Sequence, residues 1–276
     1  MLFSTDGLNW KQETVTYDAA RNVRDPSLAK IGSKYFLAHT CKYGLSDTAL
    51  WCFSSSTDLQ TFANVSQIST AAFSATLHTW APEWVKNADN STYLDGSSCP
   101  HLAMVATNGT TQFGIIEQHP TNNCSDPSQA GTTWSVPVAL TQMDTHMIDP
   151  FVIWDGAQFT MWYVDLVLST NQSLQYGTAA TLTGTYTKQT SGANWSGFQN
   201  GGAINQEGPA LYCETYAAGA CSLWRIYFDM VPAPPGDLLD GQIFYSEASS
   251  FAGPWSTTTN IITPQQSKHG TVIPFP

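Results

Sequence analysis

The chain has 276 residues, room for one large all-β domain. Charged residues are only 11%, aromatics reach 12% and the net charge is −11, so there is no basic stripe for nucleic-acid phosphates and no attraction to an anionic membrane surface. No apolar run approaches the roughly 18 residues of a membrane-spanning helix, and the low-charge, aromatic-rich balance is that of a secreted carbohydrate-active protein.

The first expected strand runs from Leu2 to Trp10 (LFSTDGLNW). Because the chain opens almost directly on it, a precursor's front end is expected to have been removed, with Met1 an added initiator. Beyond it, helical periodicity is nearly absent. Short aromatic and β-branched runs recur instead, split by Asp-Gly, Gly-Ser and Asn-Gly turns. Comparable units run from Trp51 to Phe62, from Leu174 to Tyr186 and from Ile243 to Trp255, with a fainter copy from Phe113 to Trp134. Between them lie KYFLAHT (Lys34–Thr40), HLAMVAT (His101–Thr107), QFTMWYV (Gln158–Val164) and LWRIYFDM (Leu223–Met230).

Turn-bounded starts stand at Asp25, Trp80, Asp149, Glu207 and His269, roughly 55 to 70 residues apart, the length of a four-stranded sheet with its loops. Five such units placed radially make a five-bladed β-propeller, all-β, a single domain over 1–276, with the N-terminal strand closing the last blade. A β-sandwich or jelly roll is the competing architecture, but it does not require this recurrence. The Pro-rich stretch 231–236 reads as a rigid loop.

Six cysteines, none spaced Cys-x-x-Cys, leave zinc and redox motifs unsupported and suggest three disulfides. Fifteen pairings are possible; the sequential one (Cys41–Cys52, Cys99–Cys124, Cys213–Cys221) is favoured because each bridge would staple a local loop. Six Asn-x-Ser/Thr sequons, at Asn64, Asn90, Asn108, Asn123, Asn171 and Asn194, add to the expectation of a secreted, extracellular glycoprotein.

Three acids stand in similar frames: Arg24-Asp25-Pro26-Ser27, Ile148-Asp149-Pro150-Phe151 and Gln206-Glu207-Gly208-Pro209. With the WAPEW piece around Glu83 and the KHGTV piece at His269, they resemble glycoside hydrolase family 43, the five-bladed arabinofuranosidases, xylosidases and arabinanases. The resemblance covers almost the whole chain in the family's order. It implies an inverting hydrolase with Asp25 as general base, Glu207 as general acid and Asp149 tuning and holding that acid. It also implies a channel role for His269, which in the arabinanases helps bind a central cation, often calcium. No cofactor is required; a structural Ca2+ in the channel, on His269, is the one metal expectation.

The chemistry asks for these residue types. An oxocarbenium-like transition state needs one protonated carboxyl to donate to the leaving oxygen and a second carboxylate to activate water, roughly 6.5–9.5 Å away when inversion is direct. A neighbouring anion such as Asp149 would raise the acid's pKa from about 4.3. Sugar faces stack on aromatic rings, so Trp80, Phe151, His78 and Trp84, with Glu83 and His269, are the expected substrate-binding set. An Asp before Pro is in isolation only a turn residue; the five ordered motifs give these acids their meaning. His39, His101, His119 and His146 show no metal spacing and read as structural, and Asp165 and Asp229 read as turn anchors. Nucleophile-elbow, P-loop and zinc-protease motifs are missing.

The expected function is hydrolysis of plant cell-wall polysaccharide by a monomer, releasing α-L-arabinofuranose from arabinan or arabinoxylan. The competing readings are a β-xylosidase, an exo-galactanase and a non-catalytic carbohydrate-binding propeller. An oligo- or polysaccharide is the partner under each.

Overall fold

The computed structural model describes residues 1–17, 23–41, 49–73, 76–108, 113–166, 173–189, 204–232, 242–261 and 269–274. Among them there is no α-helix, and no helix is long and apolar enough to cross a membrane. The sequons Asn171 and Asn194 and most of the Pro-rich loop lie outside the described residues.

A two-stranded hairpin, β1 (Leu2–Phe3) with β2 (Lys11–Gln12), precedes four antiparallel meanders. The first contains β3 (Arg24–Ile31), β4 (Lys34–Thr40), β5 (Leu50–Ser56) and β6 (Ala63–Ser69). The second begins with β7 (His78–Trp84). The short β8 (Lys86–Asn87) comes next and pairs parallel with the third sheet. The second sheet continues through β9 (Leu102–Thr107), β10 (Phe113–Gln118) and β11 (Val138–Ala139). The third contains β12 (Met147–Trp154), β13 (Phe159–Asp165), β14 (Ser173–Ala179) and β15 (Thr187–Lys188). The fourth contains β16 (Ile204–Ala217), β17 (Ala220–Pro232), β18 (Gln242–Ala248) and β19 (Thr259–Asn260). First strands of consecutive sheets touch, β3 to β7 to β12 to β16, as blades do around a channel.

Blade stacking explains the unbroken apolar runs. All seven residues of β13 are buried because a strand's successive side chains face opposite sides, and each side meets another blade. Met161 and Tyr163 pack with Ala103, Val105 and Ile115 of the second sheet. Trp162 and Val164, on the other face, pack with Leu211, Trp224 and Phe228 of the fourth. Between the first and second sheets, Phe36, Trp51 and Phe53 meet Trp84, Leu102 and Met104.

The fifth sector is thinner than a fifth full sheet. Among the described residues it holds the β1–β2 hairpin and the segment 269–274. Val272 and Trp10 pack against the fourth sheet, while Ile273, Met1, Phe3 and Tyr17 pack against Leu28, Leu37 and Phe62 of the first. The propeller expectation holds at the level of architecture, with four full blade sheets among the described residues and the fifth sector built from the hairpin and 269–274. A cavity of about 410 Å³ lies on this seam, lined by Trp10, Leu28, Leu37, Tyr227 and Ile261 and touching His269.

The sequential disulfides are present: Cys41–Cys52, Cys99–Cys124 and Cys213–Cys221, leaving no free cysteine.

Candidate active site

Five positions share one backbone device. Asp25 (φ 50°), Ala81 (φ 45°), Asp149 (φ 51°), Gly208 (φ 57°) and His269 (φ 40°) all take left-handed φ, four of them directly before proline. At the four that lie in sheets, the register slips by a bulge: between Arg24 and Ser27, Trp80 and Glu83, Ile148 and Phe151, and Glu207 and Ala210. A non-glycine residue there is strained by about 1–3 kcal/mol, and a bulge re-aims the side chains at a sheet's rim. The repeated Asp-Pro, Ala-Pro, Gly-Pro and His-Gly pairs thus mark five equivalent turns at the channel, one per sector, and three of them carry the predicted acids at or next to the turn.

His269 joins the acids. Its ring Nδ1 lies 3.6 Å from Asp25 Oδ1 and 3.7 Å from Asp149 Oδ2. Its backbone N–H donates to both carboxylate oxygens of Asp229, at 2.9 and 2.8 Å. Burial opposes its charging, but Asp149, Asp25, Asp229 and Glu83 outweigh that and raise its pKa. The ring thus stands at the centre of the acid cluster.

Asp149 is held by the Gly208 N–H, which donates to Oδ2 at 3.1 Å. Burial pushes its carboxyl up to about 6; His269 and the Gly208 bond work against this, Glu207 and Asp25 with it. Gly208 is glycine for a second reason besides its φ: a Cβ there would stand 2.9 Å from His269 Cγ. Asp25 accepts a 2.7 Å bond from Thr40 Oγ1 and lies 3.4 Å from Arg24 Nε. The same Thr40 oxygen accepts from the Ala81 N–H at 2.9 Å, tying the Asp25 turn to the Ala81 turn of the next blade. Thr40 and Asp229 are positioning residues that the sequence reading missed. Thr40 carries no sequence signal. Asp229 carried one, an acid in the aromatic strand LWRIYFDM, and it is 1% exposed and opposite Glu207 in register.

Three expected sugar contacts are corrected. Phe151 is 0% exposed and packs in the core with Trp162 and Phe228, because the bulge at Asp149 turns it inward. Glu83 is buried as well: it accepts from Thr271 Oγ1 at 2.8 Å and faces Lys86, whose ammonium donates to the Leu28 carbonyl. Burial pushes Glu83 up and Lys86 down. This pair stitches the second blade to the first and to the C-terminal segment beside His269, with the carboxyl turned into the fold. Trp84, 0% exposed, is core as well. Trp80 stays half-buried, with His78 stacked on it (6.0 Å between centroids, 21° between planes) and Phe113 at 5.9 Å; it keeps partial exposure where Phe151 and Trp84 keep none.

A channel Ca2+ would need six to eight oxygen ligands. Here carboxylate oxygens of Asp25 and Asp149 turn toward a ring nitrogen, and Asp229 is occupied by a backbone N–H, so these residues do not form an oxygen cage.

No sequence-family model matches the chain, and no curated protein does. Solved structures do. An exo-1,5-α-L-arabinanase from a bovine ruminal metagenomic library superposes with a TM-score of 0.60 at 14% identity, over 96% of this chain and 87% of that one. The Bacillus subtilis arabinanase Arb43A gives 0.56 at 18% identity, over 84% and 74%. An α-L-arabinofuranosidase from Lactobacillus brevis gives 0.57 at 15%, over 88% and 73%. Identities this low speak for fold: the chain is a β-propeller of the kind built by family-43 glycoside hydrolases.

Proposed function

We propose that the chain is a secreted, inverting glycoside hydrolase of plant cell-wall polysaccharide that releases α-L-arabinofuranose from arabinan or arabinoxylan. The observation that carries this is the gathering of Asp25, Asp149 and Glu207 at equivalent turns of three sectors, around His269. The sugar is chosen on the arabinanases and the arabinofuranosidase among the structural neighbours. The finer choice against xylose or galactose rests on that alone.

In the mechanism, the Glu207 carboxyl gives its proton to the leaving glycosidic oxygen. Asp25, fixed by Thr40 and Arg24, takes a proton from the attacking water on the opposite face. Asp149 does not touch the reacting atoms. It anchors the Gly208 N–H next to the acid and sets the local field, which makes it a positioning residue. Trp80, backed by His78, offers a sugar a flat face. His269 ties Asp25 to Asp149, with Nδ1 at 3.6 and 3.7 Å from their carboxylates; because these residues form no oxygen cage, dialysis against a chelator is expected to leave kcat unchanged.

Secretion is supported by the three disulfides, which persist in oxidising compartments. Asn90 is the sequon expected to stay unmodified. Its Nδ2 donates to the Cys213 carbonyl at 2.8 Å while its Oδ1 accepts from the Cys213 N–H at 2.7 Å. The donated proton is the one beside the amide oxygen, which a glycan would replace in a trans amide.

The test is a hydrolysis screen on nitrophenyl α-L-arabinofuranoside, β-D-xyloside and β-D-galactoside, with arabinan, arabinoxylan and galactan, and Glu207→Gln as control. Arabinose released by wild type and not by the variant supports the reading; a product first formed with the substrate's anomeric configuration refutes inversion. Polysaccharide binding without turnover would replace it with a carbohydrate-binding propeller.

A further inference from the structure

A second cluster of titratable groups lies on the second blade, and the hydrolytic scheme makes no use of it. Glu117 and His119 sit at the end of β10, two residues apart and so on one face. The register pairs Gln118 with Leu102 and Glu117 with Ala103, which brings His119 opposite His101. His101 precedes β9 just where β7 ends: its carbonyl accepts from the Val85 N–H, beyond Trp84, whereas the Ala81 turn lies earlier along β7.

His101 Nδ1 and His119 Nδ1 converge on one oxygen, Glu117 Oε1, at 2.6 and 2.9 Å. The three ligand atoms lie within 4.8 Å of one another. Glu117 is 1% exposed and His101 8%, while the His119 side chain keeps 29%. The buried Nε2 of His101 lies 3.4 Å from Asp95 Oδ2, and Asp95 is itself fixed by the N–H groups of Ser97 (2.8 Å) and Cys99 (2.9 Å).

We propose that His101, Glu117 and His119 bind a divalent transition-metal ion of the zinc type, with Asp95 orienting His101 from behind. Two imidazoles and a carboxylate are a donor set such ions take, and hard oxygen-seeking ions do not. A neutral imidazole has one N–H, so His101 cannot donate to Glu117 and Asp95 together. With a metal on Nδ1 the proton stays on Nε2 and points at Asp95, the carboxylate–histidine–metal arrangement that fixes a ligand's tautomer. Ligand atoms on a tetrahedral ion at about 2.0–2.1 Å stand about 3.3 Å apart, so both imidazole nitrogens must draw back from Glu117 Oε1, His101 from 2.6 Å and His119 from 2.9 Å. His119, partly exposed past the end of β10, has the freer side chain of the two. The ion would tie β9 to β10 beside the Cys99–Cys124 bridge, as a structural staple away from the acids at the channel.

The experiment is a Zn2+ titration of chelator-stripped protein by calorimetry, with thermal unfolding in parallel and Co2+ visible absorption as the ligand-field signature. Wild type is expected to take up about one equivalent and to unfold at a higher temperature. His119→Ala and Glu117→Gln should each lose binding by at least about tenfold, and Asp95→Asn should weaken it by about 10–100-fold. His119→Ala removes a half-exposed side chain, so its circular dichroism should match wild type, and arabinoside hydrolysis should be unchanged. Two results would overturn the proposal: no uptake by wild type, or uptake undiminished in His119→Ala and Glu117→Gln. Uptake that disappears only with His269→Ala would place the ion at the channel and overturn it too.

Discussion

The channel mouth and the second-blade cluster use the same side chains in inverse proportion. At the mouth one imidazole, His269, is shared by the carboxylates of Asp25 and Asp149. On the second blade one carboxylate, Glu117, is shared by the imidazoles of His101 and His119. Proportion decides the protonation. Burial raises both Asp149 and Glu117. At the mouth the acids outnumber their cation, and Asp149 stays up at about 6. Around Glu117 the hydrogen bonds and charge from two histidines outweigh burial and hold it below the usual range. Glu117 in turn raises His119, through its hydrogen bond first. One cluster is set to hold protons among acids, the other to present an ionised carboxylate between imidazoles, which suits proton transfer in the first and cation binding in the second.

The largest expected effect separates the two directly. Glu207→Gln and Asp25→Ala should each lower kcat by about 10²–10⁴-fold on natural substrate with thermal unfolding little changed, since each removes a proton-transfer group. Glu117→Gln should leave kcat where it was. A large loss of activity in Glu117→Gln would mean that the clusters are not independent.

A smaller effect tests the mouth's charge balance. His269→Gln removes the cation that holds Asp149 down, so Asp149 should rise above about 6. The limb of the pH–rate profile that reports it should move to higher pH, with kcat reduced about tenfold. An unmoved limb with reduced kcat would make His269 a packing residue only. Gly208→Ala probes the same contact sterically. With φ at 57° and the new Cβ 2.9 Å from His269 Cγ, it should cost about 1–3 kcal/mol, read as a lower Tm at about 2–4 °C per kcal/mol.

Much of the mouth was legible in the sequence because a left-handed bulge before proline leaves a written trace. Asp25-Pro26, Asp149-Pro150 and Gly208-Pro209 are local pairs, and their order along the chain is the order of the blades. The direction a side chain takes after a bulge was not legible. The slip at Asp149 turns Phe151 into the core, and burial takes Glu83 onto Thr271 and Lys86. Neither can be read without knowing which face each residue ends on. The His101–Glu117–His119 cluster was invisible for a related reason. It is created by the pairing register of β9 with β10, and no fixed spacing announces it. The blade count was read from five starts, and all five exist as turns; in the last sector, packing of 269–274 with the N-terminal hairpin takes the place of a full sheet among the described residues.

The smallest expected effect is in the pH dependence of stability, where the clusters differ in sign. At the mouth Asp149 is raised from 3.8 to about 6, Glu83 from 4.5 to about 7, and His269 above 6.5. In each case the folded chain binds a proton that the unfolded chain has released, so stability falls as pH rises, from 3.8 to about 6 for Asp149, from 4.5 to about 7 for Glu83, and above 6.5 for His269. Glu117 runs the other way. Its folded value is depressed, so its contribution is present above its ordinary 4.5 and lost as pH falls through the folded value. His119 adds stability that is complete below 6.5 and lost as pH rises through its folded value. Wild-type Tm should therefore be highest near pH 5, decline by several degrees toward pH 7 and drop again in stronger acid. His269→Gln, by letting Asp149 and Glu83 rise further, should steepen the decline toward neutrality, and Glu117→Gln should soften the drop in acid. A Tm that rises from pH 5 to 7 would show that the mouth's acids are ionised and paired in the folded chain, and would remove the contrast between the two clusters.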